Sequence, residues 1–213
     1  MVNRTIRICL LMIAVAVSCY AQEATTDTSA SADTTDAATT NAQPAPTPAY
    51  VFPDKGERFR RYVKSTVGPF RLGWSAASAG LNQWRDSPEE WGQGMKGFGK
   101  RYASSLGSNA IQQTVTYGLD TAFSLDTGFQ KSNRTGFFPR FKDALIQNVT
   151  SRTPSGKRVI GVPRFAGIYS GAIISRETWY PDRYSYKDGI RTGTKSFLEG
   201  FGINLFREFV WNF

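Results

Sequence analysis

The chain has 213 residues, with 26 lysines and arginines against 17 acidic residues, two cysteines and no histidine. Without histidine it cannot form a Ser-His-Asp triad, a Cys-His dyad or a histidine-ligated zinc site, and any catalysis would rest on Asp, Glu, Lys, Tyr or Arg. We predict no catalytic residue, no metal and no cofactor, and the net charge of +9 favours an anionic partner.

Residues 1–21 have the three parts of a cleavable signal peptide. Arg4 and Arg7 precede an uncharged apolar run at residues 8–17, which is too short for a permanent membrane span of roughly 20 residues. Small side chains follow this run and supply the cleavage site. The residues before Cys19 loosely resemble a lipoprotein signal, so lipidation of Cys19 stays an open alternative.

Residues 22–49 consist almost entirely of Ala, Thr, Ser, Asp, Gln and Pro. No aromatic or large aliphatic side chain can offset the entropy of ordering this segment, so we predict a disordered linker. Residues 50–213 are predicted to form one basic domain, long enough to bury a core without disulfides. An anionic membrane surface or envelope polymer is the expected partner, whereas nucleic acid is disfavoured for an exported protein.

Residues 54–66 predict a basic amphipathic helix, and the next two segments predict a helical hairpin. In the hairpin, apolar residues recur at helical spacing after Pro69, and again after Ser87-Pro88-Glu89-Glu90, which is typical of an N-cap with a capping box. The first apolar stripe contains Phe70, Trp74, Ala77, Leu81 and Trp84, and the second contains Trp91, Met95, Phe98, Tyr102 and Leu106.

Small residues lie beside each stripe of this hairpin. They are Gly73, Ala76, Ala77 and Gly80 in the first helix, and Gly92, Gly99, Ala103 and Ala110 in the second. We therefore expect the two helices to pack closely over their small residues, so that Gly99→Leu lowers the melting temperature.

The rest of the domain predicts further helices and one β-hairpin. Residues 139–148 indicate a short helix, and residues 150–162 a β-hairpin that turns at a Pro-Ser-Gly sequence. Residues 163–175 indicate another helix, and the last helix runs from about residue 190 to 210. The helix at 163–175 also carries small residues on one stripe: Ala166, Gly167, Ser170 and Gly171. The predicted fold is mainly α, with a small-residue-packed hairpin and one short β-hairpin.

A β-rich alternative comes from two segments. Residues 115–126 alternate apolar and polar side chains at strand period, and the chain ends with aromatic residues at positions 209, 211 and 213. Both features are typical of an outer-membrane β-barrel. We disfavour this alternative because only one good alternating segment occurs, where a barrel needs many.

Two motifs suggest chemistry. Residues 92–97 spell G-x-G-x-x-G, but no buried strand precedes them, so we interpret these glycines as helix-packing residues. Glu177 and Asp182 flank aromatic residues in a predicted loop, where a carboxylate pair could serve a hydrolase of a cell-wall polymer. A surface loop with ion pairs to Arg176 and Arg183 is the favoured interpretation.

Tryptophan beside arginine indicates a candidate binding surface, because a membrane interface favours both side chains. The candidate binding residues are Arg71, Trp74, Trp84, Arg85, Trp91, Trp179 and Arg183. Core packing of the tryptophans is the alternative.

Four segments resemble uncharacterised exported cell-envelope proteins of acidobacterial-type soil bacteria. They are RLGWSAASAGLNQWRDSPEEWG at 71–92, RTGFFPR at 134–140, TWYPDR at 178–183 and NLFREF at 204–209. The resemblance implies an envelope location and carries no activity, ligand or catalytic residue.

Together these features predict an exported, non-enzymatic protein in the periplasm or against a membrane, with the outer membrane as a further location. Such a protein is expected to associate with a membrane, an anionic envelope polymer or the helices of a partner protein. The alternative is a carboxylate-dependent hydrolase of a cell-wall polymer. The sequence does not indicate the oligomeric state.

Overall fold

The computed structural model describes residues 50–210, which form a mainly helical domain. The helices are α1 (Lys55–Val67), α2 (Pro69–Trp84), a 3-10 turn (Glu89–Trp91), α3 (Gly94–Ala122), α4 (Phe137–Val149), α5 (Val162–Thr178) and α6 (Tyr186–Phe209). Strands β1 (Thr150–Arg152) and β2 (Arg158–Ile160) pair antiparallel. The mainly α prediction and its β-hairpin are therefore confirmed.

The residues that favoured the β-rich alternative lie in two places. Residues 115–122 fall within α3 rather than in a strand. Positions 211–213 lie outside the described residues, as do the predicted signal peptide at 1–21 and the linker at 22–49. Cleavage, lipidation of Cys19 and linker disorder therefore stay predictions.

A single break at Gly68 separates α1 from α2. The Asp54 carboxylate caps α1 by accepting a hydrogen bond of 2.6 Å from the Glu57 backbone N–H. Pro69 has no N–H to continue α1, and it occupies the first position of α2. A Cβ atom at Gly68 would overlap the carbonyl oxygen of Lys64, so this tight junction requires glycine.

Helices α1 and α2 run one after the other, antiparallel to α3, along a row of α3 residues spaced by four. The row consists of Arg101, Ser105, Asn109 and Gln113. In α2, the Ser75 hydroxyl lies 3.2 Å from that of Ser105. In α1, the Ser65 hydroxyl donates to the Gln113 side chain at 3.1 Å. The backbone carbonyl of Ser65 accepts from the Asn109 side chain, also at 3.1 Å. One side of α3 thus receives both helices.

Close packing over glycine occurs where α5 meets α3. A Cβ atom at Gly167 would overlap the Thr116 hydroxyl, and one at Gly171 would lie 2.6 Å from the Ser108 carbonyl oxygen. The same holds where α6 meets α5, because a Cβ at Gly189 would lie 2.7 Å from Cα of Ile173. The small-residue stripe predicted at 163–175 is thus a contact surface.

The corresponding prediction for the α2–α3 hairpin is wrong. The two helices do pack together, but a Cβ atom at Gly73, Gly80 or Gly99 would meet open space. The reason is the orientation of α2, which turns Ser75 and Ala79 towards α3. Of the second predicted apolar stripe, Met95 is 83% exposed, whereas its other members are half-buried.

The predicted capping box at Ser87 and Glu90 is also wrong. No Ser87 side-chain cap forms, the chain makes the 3-10 turn instead, and α3 begins only at Gly94. Arg101 organises this turn, because its Nε donates to the Ser87 carbonyl at 2.9 Å and its Nη1 donates to the Gly92 carbonyl at 2.7 Å.

The G-x-G-x-x-G glycines serve this same turn, so their predicted position inside a helix is only partly correct. Gly92 and Gly94 have φ angles of +67° and +79°, a backbone region that favours glycine. Gly97 lies within α3, where a Cβ atom would overlap the Gly92 carbonyl. The motif is therefore accounted for by turn geometry and close approach.

The interior of the domain is rich in polar groups. The buried hydrophobic residues are Ala79, Leu125, Ala144, Ile168, Ala172 and Ile173. Buried charged residues accompany them: Arg101, Asp120, Asp126, Asp143 and Glu208. Many large apolar side chains consequently lie on the surface, where they need an explanation.

Candidate functional site

The apolar stripe of α2 lies on the solvent side of the helix. Ser75 and Ala79 are the buried residues of α2. Since successive side chains are rotated by about 100° in an α-helix, the stripe from Phe70 to Trp84 is centred about 160° away from this pair. Its members therefore point away from α3.

Exposure of the individual side chains agrees with this orientation. Trp84 is 80% exposed, and Trp74 and Leu81 are each 45% exposed. The Phe70 and Trp74 rings are nearly parallel, with centroids 6.4 Å apart. Indole rings are costly to leave in water, so a stripe of this kind is a candidate interaction surface rather than a fold requirement.

Helix α1 continues the exposed apolar surface. None of its residues is fully buried, and Phe59, Val63 and Val67 are exposed at a spacing of four. The opposite side of α1 contacts α3, where the Tyr62 and Tyr117 rings stack with centroids 4.9 Å apart. Because both helices lie on one row of α3, their exposed sides face outward from the same side of the domain.

We call this surface the outer face. It consists of Phe59, Val63, Val67, Phe70, Trp74, Ala77, Leu81 and Trp84.

Positive charge borders the outer face. Arg60 and Lys64 are exposed on α1 beside Val63 and Val67, and α2 contains no acidic residue. The one acidic residue within α1, Glu57, accepts a hydrogen bond of 3.0 Å from Nε of Arg61. The surface therefore combines exposed tryptophan with uncompensated cations.

Three of the seven predicted binding residues lie on the outer face or at its end, and a fourth points inward. Trp74 and Trp84 belong to the outer face, and exposed Arg85 caps the C-terminus of α2. Arg71 instead points inward, where Nη2 donates to the Ser105 carbonyl at 3.3 Å. Burial lowers the pKa of its guanidinium, as expected for a cation in the helix contact.

The other predicted binding residues lie where the turn before α3 meets the loop between α5 and α6. Trp91 contacts Tyr180, with ring centroids 4.7 Å apart, and Arg183 forms an ion pair of 2.8 Å with Glu90. Trp179 donates from its indole nitrogen to the Ser104 hydroxyl at 2.8 Å. Trp91 and Trp179 thus join parts of the fold, although Trp91 is only half-buried and Trp179 is 38% exposed, so neither belongs to the core.

Arg176 and Tyr184, beside these residues, were not selected from the sequence as binding residues. The Arg176 guanidinium lies 3.6 Å from the Tyr180 ring centroid and 5.3 Å from that of Tyr184. The only available signal was an arginine followed by tyrosines within eight positions, which is too common a pattern to select a site. The cluster is formed by the turn between α5 and α6.

A buried carboxyl group marks a third place. Asp120 is 9% exposed, its Oδ2 accepts from the Thr127 hydroxyl at 2.5 Å, and its Oδ1 is buried without a hydrogen-bond partner. Burial, opposed by the hydrogen bonds from Thr127, raises the pKa of Asp120 to about 7. No sequence pattern distinguished this residue from Asp126 in the loop that follows α3.

Burial also lowers the pKa of the neighbouring Arg164 to about 10, although Asp120 opposes that shift.

The candidate hydrolase carboxylates do not form a site. Glu177 and Asp182 are both exposed, and the ion pairs expected for them are absent among residues 50–210, since Arg183 pairs with Glu89 and Glu90 instead. Within this part of the chain, no group of three potential metal ligands occurs. None of its helices combines the length and apolar character needed to cross a bilayer.

Comparison of the chain with protein families, curated proteins and solved structures finds no match.

Proposed function

We propose that this chain is an exported, non-enzymatic protein of the cell envelope whose domain binds an anionic membrane surface through the outer face. The observation that carries the proposal is the placement of Trp74, Leu81 and Trp84, which α2 turns directly away from the helix it packs on.

The apolar part of the surface suits the interfacial region of a bilayer. Tryptophan is enriched where hydrocarbon meets headgroups, and Trp84 and Trp74 lie ten residues apart on one stripe. From Phe59 to Trp84, the two helices extend roughly 38 Å at a rise of 1.5 Å per residue. Helices of this kind lie in the membrane plane with their apolar side down, rather than spanning the bilayer.

The charge pattern favours anionic lipids over a neutral surface. Arg60 and Lys64 flank the apolar side chains, and α2 adds no acid that would repel a phosphate-rich surface. Each lysine or arginine near such a surface contributes about 1 kcal/mol of attraction at physiological ionic strength. Binding through α1 should therefore weaken as salt is added.

Sedimentation with lipid vesicles tests the proposal. The processed chain should bind vesicles that contain phosphatidylglycerol, and bind vesicles of phosphatidylcholine alone more weakly. Replacing Trp74 and Trp84 together with Ser should weaken binding at least tenfold, because burying a large apolar side chain contributes about 1.5–3 kcal/mol and about 1.4 kcal/mol corresponds to a factor of ten.

The matched control replaces two exposed apolar residues away from the outer face. Phe138 is 79% exposed and Ile160 is 70% exposed, and their joint replacement with Ser should leave vesicle binding unchanged. Equal losses in both double variants, or no vesicle binding by the native chain, would contradict the proposal. Concentration-dependent self-association that only Trp74→Ser/Trp84→Ser removes, without vesicle binding, would assign the surface to a second copy.

A further inference from the structure

A cleft of about 70 Å³ opens between the end of α2, the turn before α3, and the start of the α5–α6 loop. Its walls include Asn82, Ser87, Arg101, Arg176, Tyr180 and Tyr184. The space exceeds the roughly 10–15 Å³ that one water molecule requires by this measure. Two arginines and two tyrosines therefore surround a volume that suits a small polar group.

The two arginines differ in how their hydrogen bonds are used. Arg101 donates to three backbone carbonyls and to Gln83, and its charge is balanced by Asp86 at 3.3 Å. It is 3% exposed and holds the turn together. Arg101 is therefore a structural residue of the cleft wall, with no donor left for a ligand.

Arg176 is differently placed. Its Nη2 donates to the Thr192 hydroxyl at 3.1 Å, whereas Nε and Nη1 are buried without a hydrogen-bond partner. Among residues 50–210, no carboxylate lies within salt-bridge distance of it. Buried guanidinium nitrogens normally have acceptors for their N–H groups, and the charge normally has a counter-charge, even where the residue as a whole is half-buried as Arg176 is.

The geometry of the tyrosines restricts what can supply these acceptors. With Cζ of Arg176 at 3.6 Å from the Tyr180 ring centroid, one face of the guanidinium is covered. Its N–H groups lie in the guanidinium plane, so an acceptor must approach at the edge. An oxyanion offers both the negative charge and several oxygens, and Arg recognises such oxygens through hydrogen bonds in this plane.

We propose that this cleft binds a phosphate-type oxyanion through Arg176, with Asn82 and Ser87 as neighbouring polar groups. The oxyanion is either inorganic phosphate from solution or the phosphate of a lipid headgroup. The second source rests on the proposed membrane binding, and a headgroup would have to reach the cleft around the C-terminal end of α2, because Asn82 and Trp84 lie about 200° apart on that helix. The first source is independent of it.

The test follows the Nε–H nuclear magnetic resonance signal of Arg176 in the processed chain during titration with inorganic phosphate at constant ionic strength. The signal is assigned by its loss in Arg176→Lys. A saturable shift is expected for Arg176, and no saturable shift for Arg183, whose charge is already paired on the surface. Absence of a shift, or a linear drift shared by both arginines, would overturn the proposal.

A variant that fills the cleft keeps the test decisive if replacing Arg176 perturbs the fold. Asn82→Leu retains Arg176 and should abolish the saturable shift, with an unchanged far-ultraviolet circular dichroism spectrum as the control for folding. A persisting saturable shift in this variant would also overturn the proposal. Ser87→Leu provides a second cleft-filling variant on the other wall.

Vesicle binding by Asn82→Leu separates the two sources. Weaker binding to phosphatidylglycerol vesicles identifies the headgroup phosphate, whereas unchanged vesicle binding with lost phosphate response identifies the free ion. Because the phosphate titration contains no lipid, its failure and a failure of membrane binding are observed separately.

Discussion

Two helices that carry glycine at helical spacing, α2 and α5, both pack on α3 but use their glycines in opposite ways. Gly167 and Gly171 of α5 allow contact with α3 so close that a methyl group would collide with its atoms. Gly73 and Gly80 of α2 face open space. The spacing is helical in both cases, and only the orientation of the helix differs.

Small residues therefore indicate close approach only on the side of a helix that the fold buries. In α5 the glycines lie beside the buried Ile168, Ala172 and Ile173. In α2 the large apolar residues point outward, and Ser75 and Ala79 make the contact instead. The same orientation that leaves these glycines open also produces the outer face.

The largest difference in melting temperature is expected when a glycine is replaced with leucine once in α5 and once in α2. Gly171→Leu forces a side chain against the Ser108 carbonyl, where Cβ alone would lie 2.6 Å away. Overpacking against backbone costs about 3 kcal/mol or more, which corresponds to roughly 10 °C of melting temperature for a domain of this size. Gly80→Leu should not lower the melting temperature, and comparable losses in both variants would contradict the contrast.

The second largest effect is a pH dependence of stability, and it comes from a carboxyl group in the polar interior of the domain. Asp120 has its pKa raised to about 7 by burial, with Asp126 adding to the shift and Arg58 opposing it. Because the folded pKa exceeds the unfolded value of 3.8, ionisation above pH 7 destabilises the fold. This cost disappears as the pH falls from about 8 towards 4.

Thermal unfolding of Asp120→Asn as a function of pH checks this expectation. The native chain should gain stability relative to the variant as the pH falls from 8 to 5, by about 2–3 kcal/mol, since about two units of the shift are traversed between pH 7 and pH 5 at about 1.4 kcal/mol each. Arg164 loses part of its counter-charge in the variant, so the comparison uses the pH dependence rather than either stability alone. Parallel pH profiles for the two proteins would show that Asp120 is ionised throughout.

The smallest change in stability is expected when either of two glycines at the start of α3 is replaced with alanine. Gly99→Ala should raise stability by about 0.5–1 kcal/mol, because Ala is the better residue in an exposed helix. Gly97→Ala should lower it by about 1–3 kcal/mol, because the methyl group overlaps the Gly92 carbonyl. Chemical denaturation of both variants measures the pair, and a destabilised Gly99→Ala protein would restore the rejected packing of the hairpin.

The positions of most helices could be predicted from the sequence, but the start and full length of α3 and the orientation of α2 could not. Helical periodicity located α2 and α5, and the Pro-Ser-Gly turn located the β-hairpin, because these signals are local. The wheel of α2 has an apolar side and a small-residue side, and either could have faced α3. The choice depends on Ser105 and its row in α3, which lie far along the chain.

The candidate binding surface could also be predicted only in part. Trp74, Trp84 and Arg85 were selected by composition and lie together at an exposed surface, whereas Trp91 and Trp179 make contacts elsewhere in the domain, with Tyr180 and Ser104. Arg101 was not distinguished from other basic residues, because its role depends on carbonyl groups that only the turn brings together. The Ser87 cap failed for the same reason, since Arg101 binds the carbonyls of that segment.

The most direct test of membrane binding places a nitroxide label at the centre of the outer face. Both cysteines, Cys9 and Cys19, lie in the predicted signal peptide, so the processed chain accepts a single label at Ala77→Cys, with Ser155→Cys in the β-hairpin turn as the control. With phosphatidylglycerol vesicles, the label at position 77 should become more accessible to oxygen and less accessible to an aqueous nickel complex, while the label at 155 stays unchanged. Equal aqueous accessibility at position 77 with and without vesicles would contradict the account.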